Sequence, residues 1–130
     1  MAPVKRMRTP NMALLIATVV SWCYPVAMVA SFYATYLVAW VELGYAPRPW
    51  IDCPSSIGVW VGVFRYVPGV LLMGIPVGAM AGLVLTVFFV VRRYHWAWAP
   101  LAVVALCWLW IAAFAFLRWD PGRVGDWYTD

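Results

Sequence analysis

The sequence predicts an all-α integral membrane protein with three transmembrane helices, a long outer-side loop and a short C-terminal tail, forming a single membrane domain over residues 1–130. Three observations predict it. Apolar residues make up 66% of the 130 positions and charged residues 11%, against about 45–50% and about 25% in a soluble domain. Aromatic residues reach 18%, ten of them Trp, which excludes a disordered chain because disorder goes with too few residues that favour burial. Charge is also absent over long stretches: positions 9–41 and 66–91 carry no Asp, Glu, Lys or Arg, and in 94–117 only His95 can hold a charge near neutral pH.

Each stretch is long enough to cross a bilayer, since a core of about 30 Å needs roughly 20 helical residues. A β-barrel requires alternating polarity, and the run from Gly82 to Val91 has none. Helices remain, because hydrocarbon cannot satisfy open backbone groups. The crossings are placed at about 12–41, 67–91 and 98–117.

The first crossing follows Lys5, Arg6 and Arg8. It is too long for the core of a cleaved export signal, about 7–15 residues, and reads as a retained anchor. As a continuous helix it measures about 45 Å, so it must tilt, kink or project, and Pro25 offers the kink.

Residues 42–66 form the outer loop, broken in its first half by Gly44, Pro47, Pro49 and Pro54. Asp52 is expected to cap a short helix near Cys53 and Pro54. The apolar run after it is expected at the membrane surface or on the bundle, as a separate interfacial helix or an extension of the second crossing.

The second crossing carries the sharpest motif, Gly74-x-x-x-Gly78-x-x-x-Gly82. Spacing of four puts the glycines on one helix face and opens a groove for another backbone, either of this chain or of another. Pro68 and Pro76 predict a bend or partial unwinding beside it.

Arg92, Arg93, His95 and Trp96 follow, at the junction with the third crossing. With Trp119 and Trp127 they are the expected contacts with lipid headgroups or a partner, because indoles and basic groups anchor at membrane interfaces. Trp108 and Trp110 lie deeper, where a protein neighbour or a bound lipid or pigment ring would meet them. The tail, 118–130, turns at Asp120-Pro121-Gly122 and can dock on a partner or fold back onto the 42–66 loop.

Orientation follows from the Lys and Arg of the flanks. Five of them, Lys5, Arg6, Arg8, Arg92 and Arg93, would lie inside, against Arg48, Arg65, Arg118 and Arg123 outside. The N-terminus is therefore expected in the cytoplasm and the C-terminus outside, in a bacterial plasma membrane. The net charge of +4 is split between the ends of apolar spans rather than clustered on one soluble face, which argues for membrane lipid and against nucleic acid.

Chemistry is sparse. Cys23, Cys53 and Cys107 are scattered and form no CxxC motif; Cys23 and Cys107 fall at similar depth on parallel helices and read as small apolar side chains of the core. One His cannot supply bis-His haem ligation, so no cofactor or metal site is indicated. Embedded hydroxyls have no base beside them, and no catalytic residue stands out.

The expected function is a small accessory or scaffolding subunit of a larger respiratory or photosynthetic membrane complex, one that packs by the glycine groove, binds lipid and associates with other transmembrane subunits. A small oligomeric transporter or channel subunit is the alternative, and an outer-face enzyme built from the loop and tail is third.

Overall fold

The computed structural model describes residues 11–120 and 123–128. Lys5, Arg6, Arg8 and the Pro121-Gly122 turn lie outside them. The described elements are α1 (Met12–Leu43), α2 (Val59–Phe64), α3 (Tyr66–Met73), α4 (Ile75–Arg93), a 3-10 turn (Trp96–Trp98), α5 (Ala99–Trp119) and α6 (Val124–Tyr128). The described chain is thus all-helical, and three stretches are long and apolar enough to cross a membrane: Met12–Leu43, Ile75–Arg93 and Trp96–Trp119. α1, α4 and α5 pack pairwise, with α4 antiparallel to the other two.

Asn11 starts α1 by accepting a hydrogen bond from the Ala13 amide at 3.2 Å. Gly44 ends it with φ 74°, a left-handed conformation suited to glycine, while its amide donates to the Trp40 carbonyl at 2.9 Å. The 32 residues span about 48 Å and pass through Pro25 without interruption. Thr18, Pro25, Met28, Phe32, Thr35 and Ala39 are its buried positions. Their steps of seven, three and four define one continuous seam, and α5 repeats it with Ala99, Leu106 and Ala113.

That seam corrects the reading of the cysteines. Cys23 and Cys107 are exposed, not core neighbours. At about 100° of rotation per residue, two positions before Pro25 and one after Leu106 both turn away from the buried line.

Residues 59–93 form a nearly continuous helical run, interrupted only at Arg65 and Gly74. Each interruption sits just ahead of a proline, Pro68 in the first turn of α3 and Pro76 in that of α4, positions where a helix tolerates a missing amide. The apolar run after the loop is therefore an extension of the second crossing.

Asp52 does not cap a helix at Cys53 and Pro54, contrary to expectation. Its carboxylate is engaged within the loop, accepting from the Arg48 amide at 2.9 Å and the Tyr45 hydroxyl at 3.0 Å. Cys53–Ser56 forms a turn instead, closed by the Ser56 amide on the Cys53 carbonyl at 3.0 Å. The helix begins at Val59, and Glu42 from the end of α1 accepts from its Trp60 amide at 3.3 Å. A side chain at Gly58 would collide with that carboxylate.

After α5, Asp120 adopts a left-handed conformation, φ 40°, and its carboxylate accepts from the Val124 amide at 2.7 Å. This starts α6 and turns it back onto α1. Val124 joins a buried cluster with Met28 and Phe32, and Trp127 joins another with Ala39 and Val61.

Candidate functional site

The glycine face of the second crossing meets α1 of the same chain. Tyr24 lies across Gly74 and Gly78: a Cβ at Gly74 would collide with the Tyr24 hydroxyl, and one at Gly78 would sit 3.2–3.3 Å from its ring carbons. At Gly82, the Cβ position is 3.5 Å from Leu106 and 3.6 Å from Ser21. Three helices therefore converge where the glycines lie. The backbone at Gly74, φ −79° and ψ −6°, is open to any residue, so it is space and not conformation that requires glycine there.

Hydrogen bonds reinforce this seam, and two of them serve carbonyls beside the helix interruptions. The Tyr24 hydroxyl donates to the Leu71 carbonyl at 2.8 Å. The Thr35 hydroxyl lies 2.8 Å from the Ser31 carbonyl and 3.3 Å from that of Phe64, the carbonyl that Pro68 leaves without its helical donor. Further along the seam, beyond Tyr24, the Trp22 indole donates to the Thr86 hydroxyl at 2.8 Å. Hydrocarbon offers no water to a carbonyl freed by a proline, and Thr35 supplies the replacement donor for Phe64. Tyr24 also packs against Trp110, ring centroids 5.9 Å apart, and Trp110 stacks on Phe114 at 5.9 Å.

The basic end of α4 is a separate region, since Gly82 and Arg92 are ten residues apart, roughly 15 Å along the helix. Arg92 lies over the Phe88 ring at 4.3 Å, and Arg93 is exposed. His95 is exposed and caps the 3-10 turn, its Nδ1 accepting from the Ala97 amide at 3.3 Å. Trp96 is exposed. At the opposite end Trp119 is exposed, with its ring edge-on to Phe116 at 6.1 Å.

Trp127 departs from its expected place at a headgroup or partner surface: it is 0% exposed. Its indole donates to the Asp52 carbonyl at 2.6 Å, and its ring packs edge-on against Tyr36 at 5.5 Å. The fold-back thus joins the tail, the 42–66 loop and the end of α1. In that loop, hydrogen bonding from the Arg48 amide holds the Asp52 carboxyl below its usual range, with the Tyr45 hydroxyl and Arg48 guanidinium adding to the effect against opposing desolvation. Burial holds the Tyr128 phenol above its usual value.

Two participants were not singled out by sequence reasoning. Tyr24 reads as one of several embedded hydroxyls, although its register opposite Gly74 and Gly78 makes it the residue that fills the groove. The start of α6 does leave a sequence signal, Asp120 four residues before Val124, but nothing local specifies what α6 covers. Among the described residues, no three His, Cys, Asp or Glu side chains gather where a metal could be held.

No protein-family model matches the chain, and no curated protein or solved structure matches it either.

Proposed function

We propose that this chain is an integral membrane protein that serves as a small accessory or scaffolding subunit, packing against larger helices of a respiratory or photosynthetic complex in a bacterial plasma membrane and binding lipid. The observation that carries the reading is Trp108. It stands at the middle of α5, 65% exposed, and its indole has no hydrogen-bond partner among the described residues. An indole normally keeps its N–H at a wet interface or on a protein acceptor. In hydrocarbon at mid-depth, a neighbouring subunit would supply that acceptor. Leu101, Val104 and Ile111 continue the same exposed face at helical spacing.

Further support comes from the polar groups of the seam, since Trp22, Tyr24, Thr35 and Thr86 are all engaged in hydrogen bonds within the chain. The glycine groove is likewise filled from within, so association with a larger subunit falls to α5. The basic flanks favour an N-terminus in the cytoplasm and a C-terminus outside. Headgroup contacts fall to Arg92, Arg93, His95, Trp96 and Trp119.

Purification from native membranes in a mild detergent tests the proposal. Co-migration with larger subunits is expected, and Trp108→Leu should weaken it while leaving the isolated chain folded. A stable homo-oligomer that moves solute across vesicles would replace this reading with the transporter or channel alternative.

A further inference from the structure

We propose that a cleft beside Arg65 binds an anionic phospholipid, with the lipid phosphate on the guanidinium and an acyl chain lying along Gly69 and Met73. The cleft has a volume of about 380 Å³ and is bounded by Ser55, Arg65, Tyr66, Gly69, Met73 and Tyr128 among others. It lies at the opposite end of the bundle from Arg92 and Arg93. The inference rests on the membrane placement of the chain, not on its being a subunit of a complex.

Charge is the first argument. Arg65 donates to the Tyr66 hydroxyl at 3.1 Å and lies over the same ring at 5.0 Å, but no carboxylate pairs with it among the described residues. Arg48 and Arg123, by contrast, each have an aspartate at 3.4 and 3.5 Å. A guanidinium has five donors in a planar fork, so one bond to a tyrosine leaves most of its capacity open to a phosphate. Ser55 and Tyr128 add hydroxyl donors, and among the described residues no carboxylate lines the cleft to repel an anion.

Shape is the second. The lining changes from polar to apolar in one direction, from Arg65 and Ser55 toward Gly69 and Met73. Met73 is 86% exposed, and nothing lies within 4 Å of a Cβ at Gly69, so the channel is open beside α3. Residues 65, 69 and 73 follow one helix face at intervals of four. This is the polarity profile of a headgroup followed by a chain. Arg65 is also fixed at the interruption between α2 and α3, with the adjoining Phe64 carbonyl held by Thr35.

The test uses the purified full chain in detergent micelles, with bound lipid counted by native mass spectrometry as phosphatidylglycerol or phosphatidylcholine is added. The wild type should bind phosphatidylglycerol about tenfold more tightly, as expected for charge-assisted hydrogen bonds. Arg65→Gln should remove that preference, whereas Arg118→Gln, an exposed arginine outside the cleft, should keep it. Gly69→Leu has room for its side chain and should fill the channel, lowering the affinity for both lipids. It carries the test if Arg65→Gln fails to fold. An unchanged preference in Arg65→Gln, unchanged affinities in Gly69→Leu, or displacement of the lipid by millimolar inorganic phosphate would overturn the proposal. The measurement needs no partner subunit, so its failure leaves the accessory reading standing, and failure of co-migration leaves the lipid site standing.

Discussion

Replacing Gly74 by Ala should change the sign of its effect when Tyr24 is replaced by Phe. In the wild type the new methyl collides with the Tyr24 hydroxyl, and overpacking of this kind costs about 1–3 kcal/mol. Alanine's better helix propensity offsets at most about 1 kcal/mol of that. Removing the hydroxyl removes the collision, because the remaining ring atom is 3.5 Å from the Cβ position, an ordinary contact. Tyr24→Phe alone should cost about 1 kcal/mol by deleting the bond to the Leu71 carbonyl, and Gly74→Ala should then be neutral or slightly stabilising. Tyr33→Phe provides an isosteric control, since the Tyr33 hydroxyl is buried with no hydrogen-bond partner among the described residues and its removal should cost nothing or stabilise. Unfolding titrations in mixed micelles, followed by far-UV circular dichroism, would give the four free energies of the cycle. Equal costs for Gly74→Ala in the two backgrounds would refute the steric account of the seam.

Other outcomes follow from the same contacts. Trp127→Ala should destabilise the protein by about 3–5 kcal/mol, because it empties a fully buried site and deletes the bond to Asp52; a loss below about 1 kcal/mol would show that the tail is not docked. Thr86→Val leaves the Trp22 indole without its acceptor and should cost about 1 kcal/mol, measured in the same titrations, whereas Thr86→Ser should retain most of the stability. Because the Asp52 carboxyl is held below its usual range, its contribution is fully present above the carboxyl pKa of the unfolded chain. It is lost as pH falls through the lower folded value. Protection of the Arg48 amide, its exchange rate measured against the intrinsic rate at each pH, should therefore hold at neutral pH and fall only in acid, and Asp52→Asn should flatten that dependence. For orientation, Cys53 is exposed and, with Cys23 and Cys107 replaced by Ala, should react with an impermeant maleimide from outside intact cells; labelling only after lysis would invert the assignment.

The sequence determined by itself that the described chain is helical, with three helices long and apolar enough to cross a membrane, because lack of charge over some twenty residues is a one-dimensional property that composition alone reveals. It also located the glycine repeat and the prolines that shape the second crossing. Only the tertiary structure decided which element fills the groove, because Tyr24 and Gly74 are distant in sequence and meet through the antiparallel return of the chain. The same holds for Asp52, whose expected helix cap lost to bonds within its own loop, and for Trp127, which an interfacial indole pattern places outside although α6 folds it inward. A bilayer-facing and a buried apolar residue look alike in a sequence in which both are favourable. Packing register, not hydrophobicity, separates Leu106 from Cys107 and Trp127 from Trp119.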